Sequence, residues 1–216
     1  MLHIFINGET GKMGSSIAKL IELNDNFTKV KKHDFKISDV VIDFSHPDST
    51  SQILKNCLKE RKPLVIGTTG LEKSHMSKIE KASKTIPILI GSNMSKGVID
   101  LKEALKNYLN NNSSELIECV IEETHHTEKI DSPSGTALEL KDYIISLNNK
   151  NIKSIEIVSN RIGDVFGTHK VVFIKRNSIK EFKHEALSRD VFAYGALHAA
   201  ESVYALNPGI YRFQDF

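Results

Sequence analysis

The residues of this chain that packing needs cannot explain lie between Glu122 and Ala137, which read Glu-Glu-Thr-His-His-Thr-Glu-Lys-Ile-Asp-Ser-Pro-Ser-Gly-Thr-Ala. Two adjacent histidines, a lysine four positions after the first and four carboxylates build no core. A histidine whose pKa lies near neutrality can donate a proton, a role open to His125. Lys129 can stabilise an anion or, if desolvated, transfer a proton or form a Schiff base. Metal binding by Glu123, His125, His126 and Glu128 is the rival reading. It fits poorly, because adjacent histidines on an extended strand end point to opposite faces and no Cys or His set at zinc spacing accompanies them. No metal is therefore expected. Ser134-Gly135-Thr136 then opens a helical pattern, with Pro133 at a first helical position and Thr136 and Glu139 spaced as a capping box. Gly135 leaves backbone amides exposed at a positive helix end, a ready site for a carboxylate.

A second constellation opens the chain. Leu2-His3-Ile4-Phe5-Ile6 is an apolar run, followed by Gly8-Glu9-Thr10-Gly11-Lys12-Met13-Gly14 and then by Ile17, Leu20 and Ile21 at helical spacing. Strand, glycine turn and helix in that order let backbone amides approach a pyrophosphate. The parsimonious chemistry is then hydride delivery from a nicotinamide, with the substrate's charge managed by His125 and Lys129. The next segment, Phe27 to Phe35, is too short for a full second strand, helix and third strand. At the end of a second strand an acid holds the adenosine ribose, or bases hold a 2'-phosphate. Asp34 offers the first; Lys31 and Lys32 offer the second.

These residues need a scaffold, and the apolar pattern supplies one. Val40 to Phe44, Pro63 to Ile66 and Ile86 to Ile90 read as buried strands, separated by helices that carry Ile53, Leu54, Cys57 and Leu58, then Met76 and Ile79. Alternation of this kind implies a parallel sheet with ligands beyond the carboxyl ends of its strands. Gly8 to Gly14, Ser45 to Pro47, Gly67 to Gly70 and Ser92 to Lys96 all fall on that rim. A helix through Val98, Leu101, Leu105 and Leu109 follows, with a polar exit at residues 110–114. The grammar then changes. Leu116 to Glu122, Ile155 to Asn160, Thr168 to Lys175 and Ser178 to Ala186 are strands with one intervening helix, which suits a mixed sheet, and an alanine-rich helix from Arg189 to Tyr204 closes the chain. The expected class is α/β: an N-terminal Rossmann-like parallel sheet with a second α+β domain on a mixed sheet. Residues 1–94 plus 190–216 form the first domain and 95–189 the second.

Composition excludes several function classes. With 29 basic against 27 acidic residues the net charge is +2, too balanced for the broad cationic surface that nucleic acid requires. No leader precedes the first strand, and no apolar run approaches the ~18 to 20 residues that span a bilayer. A cytoplasmic protein without membrane attachment is expected. Cys57 and Cys119 stand among apolar neighbours and read as buried free thiols. His3, His46 and His75 are lone imidazoles and read as structural or surface residues.

The ordered motifs resemble one family. Glu123-x-His125-His126-x-x-Lys129-x-Asp131-x-Pro133-Ser134-Gly135-Thr136-Ala137 is the signature of the 4-hydroxy-tetrahydrodipicolinate (dihydrodipicolinate) reductases of bacterial lysine and diaminopimelate synthesis. It is accompanied by Asp43-Phe44-Ser45-x-Pro47, Gly67-Thr68-Thr69-Gly70, Asn93-Met94-Ser95-x-Gly97-Val98, Arg161-x-Gly163-Asp164, Gly167-Thr168-His169 and Ser188-Arg189. The resemblance spans essentially the whole chain. It implies an NADH- or NADPH-binding domain, a substrate-binding and tetramerisation domain, and a final helix that returns to the first domain. It also implies that His125 donates the proton and Lys129 helps stabilise charge. His126, Lys129, Ser134, Gly135 and Thr136 would hold the carboxylates of a small dicarboxylate. Gly8, Lys12, Met13, Gly67, Thr69, Ser92, Asn93 and Met94 would line the cofactor, in a cytoplasmic homotetramer. Three positions depart from the family pattern: the segment before Val40 is short, Met94 stands for an aromatic residue near the nicotinamide, and Ser132 stands for alanine. A non-catalytic nucleotide-binding sensor and a related amino- or imino-acid dehydrogenase are the competing functions.

Overall fold

A computed structural model describes residues 1–111 and 115–215. Residues 112–114 of the expected polar exit, and the last residue of the first domain, lie outside them. In chain order the elements are β1 (Leu2–Asn7), α1 (Lys12–Glu22), β2 (Phe27–Val30), β3 (Val40–Asp43), α2 (Pro47–Glu60), β4 (Leu64–Ile66), α3 (Lys73–Ala82) and β5 (Pro87–Ile90). There follow α4 (Lys96–Asn110), β6 (Ile117–His125), α5 (Gly135–Ser146), β7 (Ile152–Arg161), β8 (Thr168–Lys175), β9 (Ser178–Glu185), α6 (Asp190–Tyr204) and β10 (Gly209–Arg212). Two compact units result, Met1–Ser95 with Arg189–Phe216, and Lys96–Ser188.

The first unit is built on a six-stranded parallel sheet in the order β10-β5-β4-β3-β1-β2. Its central strands are apolar on both faces because both are covered: Val40, Val41, Ile42, Leu64, Val65, Ile66, Ile88 and Leu89 are fully buried. Ile53, Leu54 and Cys57 of α2 and Ile79 and Ala82 of α3 complete one layer of core. The alanine-rich α6 packs on β3, β4 and β5 and against α1. Small side chains allow that close approach. The abbreviated segment becomes a four-residue strand, β2, and a 3-10 turn at Lys32–Ile37, anchored by Phe35 edge-on to Phe5 at 5.0 Å. Strand β10 was not legible in the sequence. It is a four-residue edge strand with no buried position, and only its pairing with β5 defines it.

The second unit is a four-stranded mixed sheet, β7-β6-β8-β9, in which β6 and β7 run parallel and the other pairs antiparallel. The parallel pair needs a crossover, and α5 provides it. Helices α4 and α5 cover the inner face, where Leu101, Leu105, Leu140 and Ile144 meet Ile117, Cys119, Ile121, Val171 and Phe173. Tyr108 of α4 stacks on Phe173 at 5.1 Å.

The lone histidines do structural work. His46 caps α2 by accepting from the Asp48 amide, His75 accepts from the Glu72 amide at the start of α3, and His3 pairs with Asp39 at 2.9 Å. Cys57 and Cys119 are free and buried, and burial pushes both thiols up, Cys119 to about 12. Among the described residues, no helix is long and apolar enough to cross a membrane.

Candidate active site

Strand β6 extends through His125, three residues beyond the strand end at Glu122 expected from the sequence. A strand alternates its faces with period 2, and Ile117, Cys119, Ile121, Glu123 and His125 all turn inward. The first three are core. The last two carry the same buried face beyond the core, at the strand's carboxyl end. Register then sets their neighbours: Glu123 lies between Ser159 of β7 and His169 of β8, and His125 lies beside Arg161.

The resulting cluster is tight. Glu123 is fully buried; its Oε2 meets Nδ1 of His125 at 2.5 Å and accepts from Nη1 of Arg161 at 3.0 Å. Its Oε1 meets Nη2 of Arg161 at 3.0 Å and accepts from the Ser134 amide at 3.1 Å. His169 is buried, with its ring 5.1 Å from that of His125 and its Nε2 3.2 Å from Oγ of Ser134. Gly167 lies against the outer edge of His125. A Cβ there would come 3.2 Å from Nε2, and φ is +154°, so glycine keeps that flank clear.

Electrostatics follow from these contacts. Burial works to raise the Glu123 carboxyl, but hydrogen bonds from Arg161, Ser159 and His125 outweigh it and hold the group at about 2. Burial lowers His125 below the ordinary imidazole range; Glu123 opposes that, while Lys129 and Arg161 reinforce it. Burial, reinforced by the His125 charge, drives His169 to about 3, so His169 is neutral.

The loop after β6 folds back on itself, the Lys129 amide donating to the His126 carbonyl at 3.2 Å. Lys129 is largely buried and pairs with Asp131 at 2.7 Å, and His126 is half-buried beside it. The start of α5 differs from the sequence expectation in two ways. Ser134 is its N-cap, with Oγ accepting from the Ala137 amide at 3.2 Å, so Pro133 precedes the cap and Thr136 is the second helical residue. Glu139 instead pairs with the buried Lys102 of α4, which removes the capping box. Ser134 and Thr136 are buried and Gly135 is half-buried. The start of α5, capped by Ser134, carries the positive end of the helix dipole, which suits an anion.

In the first unit, the residues expected to line a nucleotide fall at three parallel strand ends. Gly8, Lys12 and Met13 follow β1, Gly67 and Thr69 follow β4, and Ser92, Asn93 and Met94 follow β5. Gly8 has φ +88°, and a Cβ on Gly14 would fall 2.1 Å from the Gly8 carbonyl oxygen, so the turn closes only with glycine. Gly11 is the N-cap of α1 and supplies no side-chain cap. That uncapped glycine turn suits a pyrophosphate. Met94 is 1% exposed and packs beside Gly91, so its thioether lies beneath the rim. Asp43, also fully buried, ties the rim together: it accepts from Asn7 at 2.8 Å, Ser45 at 2.5 Å, Thr50 at 2.5 Å and Thr68 at 3.1 Å.

Glu123, Arg161 and His169 join the cluster without having been expected among the catalytic or binding residues. Glu123 and His125 share a strand face two residues apart, a signal open to inspection, whereas Arg161 and His169 join them only through strand pairing. Among the described residues no group of three or more His, Cys, Asp or Glu side chains could hold a metal ion.

Comparison with known proteins finds relatives along the whole chain. Residues 25–94 match the family model "Dihydrodipicolinate reductase, N-terminus" and residues 97–216 match "Dihydrodipicolinate reductase, C-terminus". A 4-hydroxy-tetrahydrodipicolinate reductase of Bdellovibrio bacteriovorus is 38% identical over 99% of this chain and 95% of its own length. One from Rickettsia rickettsii is 37% identical over 100% of this chain and 98% of its own. Among solved structures, the dipicolinate-bound dihydrodipicolinate reductase of Paenisporosarcina sp. TG-14 superposes with a TM-score of 0.76 at 18% identity, covering 100% and 99% of the two chains. A probable dehydrogenase of Thermotoga maritima shares the fold at a TM-score of 0.67 and 10% identity, over 99% and 92%. Matches that run through both units at this identity show that the chain belongs to the 4-hydroxy-tetrahydrodipicolinate reductase family.

Proposed function

We propose that the protein reduces 4-hydroxy-tetrahydrodipicolinate to tetrahydrodipicolinate, with loss of water, on the diaminopimelate route to lysine. The observation that carries this reading is the buried Glu123–His125 pair beside the anion-suited start of α5, in a chain whose full-length relatives bear the reductase name. The sensor and the amino- or imino-acid dehydrogenase are not favoured.

In this reading the first unit binds the nucleotide and the second binds substrate. Gly8, Lys12, Met13, Gly67, Thr69, Ser92, Asn93 and Met94 hold the cofactor, Met94 through its backbone. When bound, the reduced nicotinamide supplies the hydride. His125 donates the proton through Nε2, and Lys129 stabilises the developing charge. The two substrate carboxylates are held by His126, Lys129 and the amides of Gly135 and Thr136, which the Ser134 cap keeps in place. The Paenisporosarcina enzyme binds dipicolinate, a dicarboxylate of the same shape class.

Two observations support NADPH over NADH. Strand β2 ends at Val30 and is followed by Lys31 and Lys32, and Lys29 reaches Glu9 of the glycine turn at 2.7 Å, which places this basic end beside the turn. Asp34 is turned toward His33 at 3.1 Å. The outer face of the second sheet carries Val120, Val158, Val172 and Ile174, an apolar centre suited to assembly as a homotetramer. The buried free thiols suit a reducing cytoplasm.

The deciding assay supplies freshly made substrate from the preceding synthase and follows absorbance loss from NADPH and NADH separately. Turnover is expected with both, with kcat/KM about 10-fold higher for NADPH, an order typical of one charged phosphate contact. No turnover with either nucleotide would overturn the reading, and a preference for NADH would overturn the role of Lys31 and Lys32.

A further inference from the structure

The Glu123 carboxylate receives hydrogen bonds on both oxygens. Oε2 meets His125 Nδ1 and Arg161 Nη1; Oε1 meets Arg161 Nη2 and the Ser134 amide. An ionised carboxylate only accepts, so Nδ1 of His125 carries the proton and Nε2 is the nitrogen left for substrate. Arg161 has a second set of partners. Its Nε donates to the Lys129 carbonyl at 3.3 Å and its Nη2 to the Asp131 carbonyl at 2.5 Å. One buried ion pair thus touches the proton donor's ring, the backbone of the charge-stabilising lysine and the cap residue of α5.

The geometry points to Glu123 and Arg161 as a positioning pair for the reduction: Glu123 sets the tautomer and orientation of His125 and tethers Ser134, while Arg161 clamps the Lys129–Asp131 backbone into register with them. This rests on the reductase reading. Neither residue touches substrate; both act through groups that do. The charges that face His125 are Glu123 from its own strand, Arg161 from β7, and Lys129, itself paired with Asp131, from the loop. His169 from β8 is neutral, as burial dictates, and His184 of β9 lies beyond it. Glu123 is the closest anion and is the group that favours the protonated, proton-donating imidazole.

Glu123→Gln tests the pair because glutamine has the same shape but one accepting oxygen. Arg161 and the Ser134 amide are obligate donors and compete for that oxygen, which leaves His125 without its acceptor. In the folded variant kcat falls about 100-fold, within the range of a general acid's contribution. The limb of the kcat/KM profile that falls with rising pH moves down by about one pH unit, because the anion favouring the charged imidazole is gone. Cofactor affinity stays within about twofold, since sites without shared partners are independent. A folded variant with near-native kcat and an unmoved limb overturns the proposal, whatever its melting temperature.

A second measurement needs no Glu123 variant and no turnover. Nitrogen-15 NMR of histidine-labelled wild-type protein, above the pH at which His125 loses its charge, should show His125 as the Nδ1–H tautomer, its signals assigned by their loss in His125→Gln. The Nε2–H tautomer would overturn the proposal. If wild-type protein turns over neither nucleotide, the reductase reading fails while the tautomer still decides the role of Glu123.

Discussion

Each unit buries a carboxylate completely at or near the carboxyl end of a strand, Asp43 on β3 and Glu123 on β6, and the two are satisfied in different ways. Asp43 is surrounded by hydroxyls and a primary amide: Asn7, Ser45, Thr50 and Thr68. Each of these can reverse from donor to acceptor by rotating. Glu123 meets a guanidinium, a backbone amide, an imidazole and the Ser159 hydroxyl, and the first two, Arg161 and the Ser134 amide, can only donate. A carboxylate among neutral, reversible partners ties loops together. One among charged partners also sets a proton's position. The first arrangement suits a rim that binds, the second a cluster that transfers a proton.

The contrast can be broken most directly at His125. His125→Gln is expected to lower kcat by about 10²- to 10⁴-fold, the range for loss of a general acid, with nucleotide Kd unchanged by fluorescence titration. A change in nucleotide binding that matches the loss of kcat would remove the division of labour. Lys129→Ala should come next, with kcat lower by about 100-fold through loss of one electrostatic contact to the developing charge. Equal loss of turnover and of cofactor binding would contradict its role.

Acid sharpens the comparison. The folded Glu123 pKa of about 2 lies below its ordinary value near 4.5, so its stabilising contribution is full above about 4.5 and is lost as pH falls toward 2. That contribution is on the order of 3 kcal/mol. His169 acts in the same direction: its pKa is about 3 when folded and near 6.5 when unfolded, so the unfolded chain takes up its proton first and stability falls between about 6.5 and 3. Amide hydrogen exchange between pH 7 and 4 should therefore show the strands of the second unit losing protection first. Earlier loss in the first unit would refute the assignment of charge to the second. The smallest effect belongs to Asp43→Asn. Its partners can reverse, so unfolding in urea should register about 1 kcal/mol, the scale of one net hydrogen bond, with nucleotide affinity reduced less than about 10-fold and no movement of the pH limb. A loss as large as that of Glu123→Gln would erase the distinction between the two carboxylates.

Much of this was legible in the order of residues. The glycine turn after an apolar run announces a nucleotide cradle, because only glycine permits the close approach of Gly14 to Gly8. Unbroken apolar strands announce a sheet covered on both faces. The period of two in β6 already places Glu123 and His125 side by side. Other features have no local signal. The expected strand stopped at Glu122, where the apolar run gives out, although pairing with β7 and β8 carries it on through Glu123 to His125. Thr136 and Glu139 had the spacing of a capping box, yet Ser134 caps the helix and Glu139 is drawn to Lys102. Strand β10 exists only because β5 offers an unpaired edge.

Which chemical groups are present, which strand face each occupies and where backbone can approach a ligand are written in the order of residues, because these depend on side-chain type, alternation and local steric limits. It took the folded chain to bring Arg161, 38 residues beyond Glu123, onto it, and to set the ring of His169 edge-on to that of His125. Those meetings depend on which strands become neighbours and in what register, and that choice is set by burying the apolar face of the whole sheet beneath α4 and α5, which no short stretch of sequence encodes.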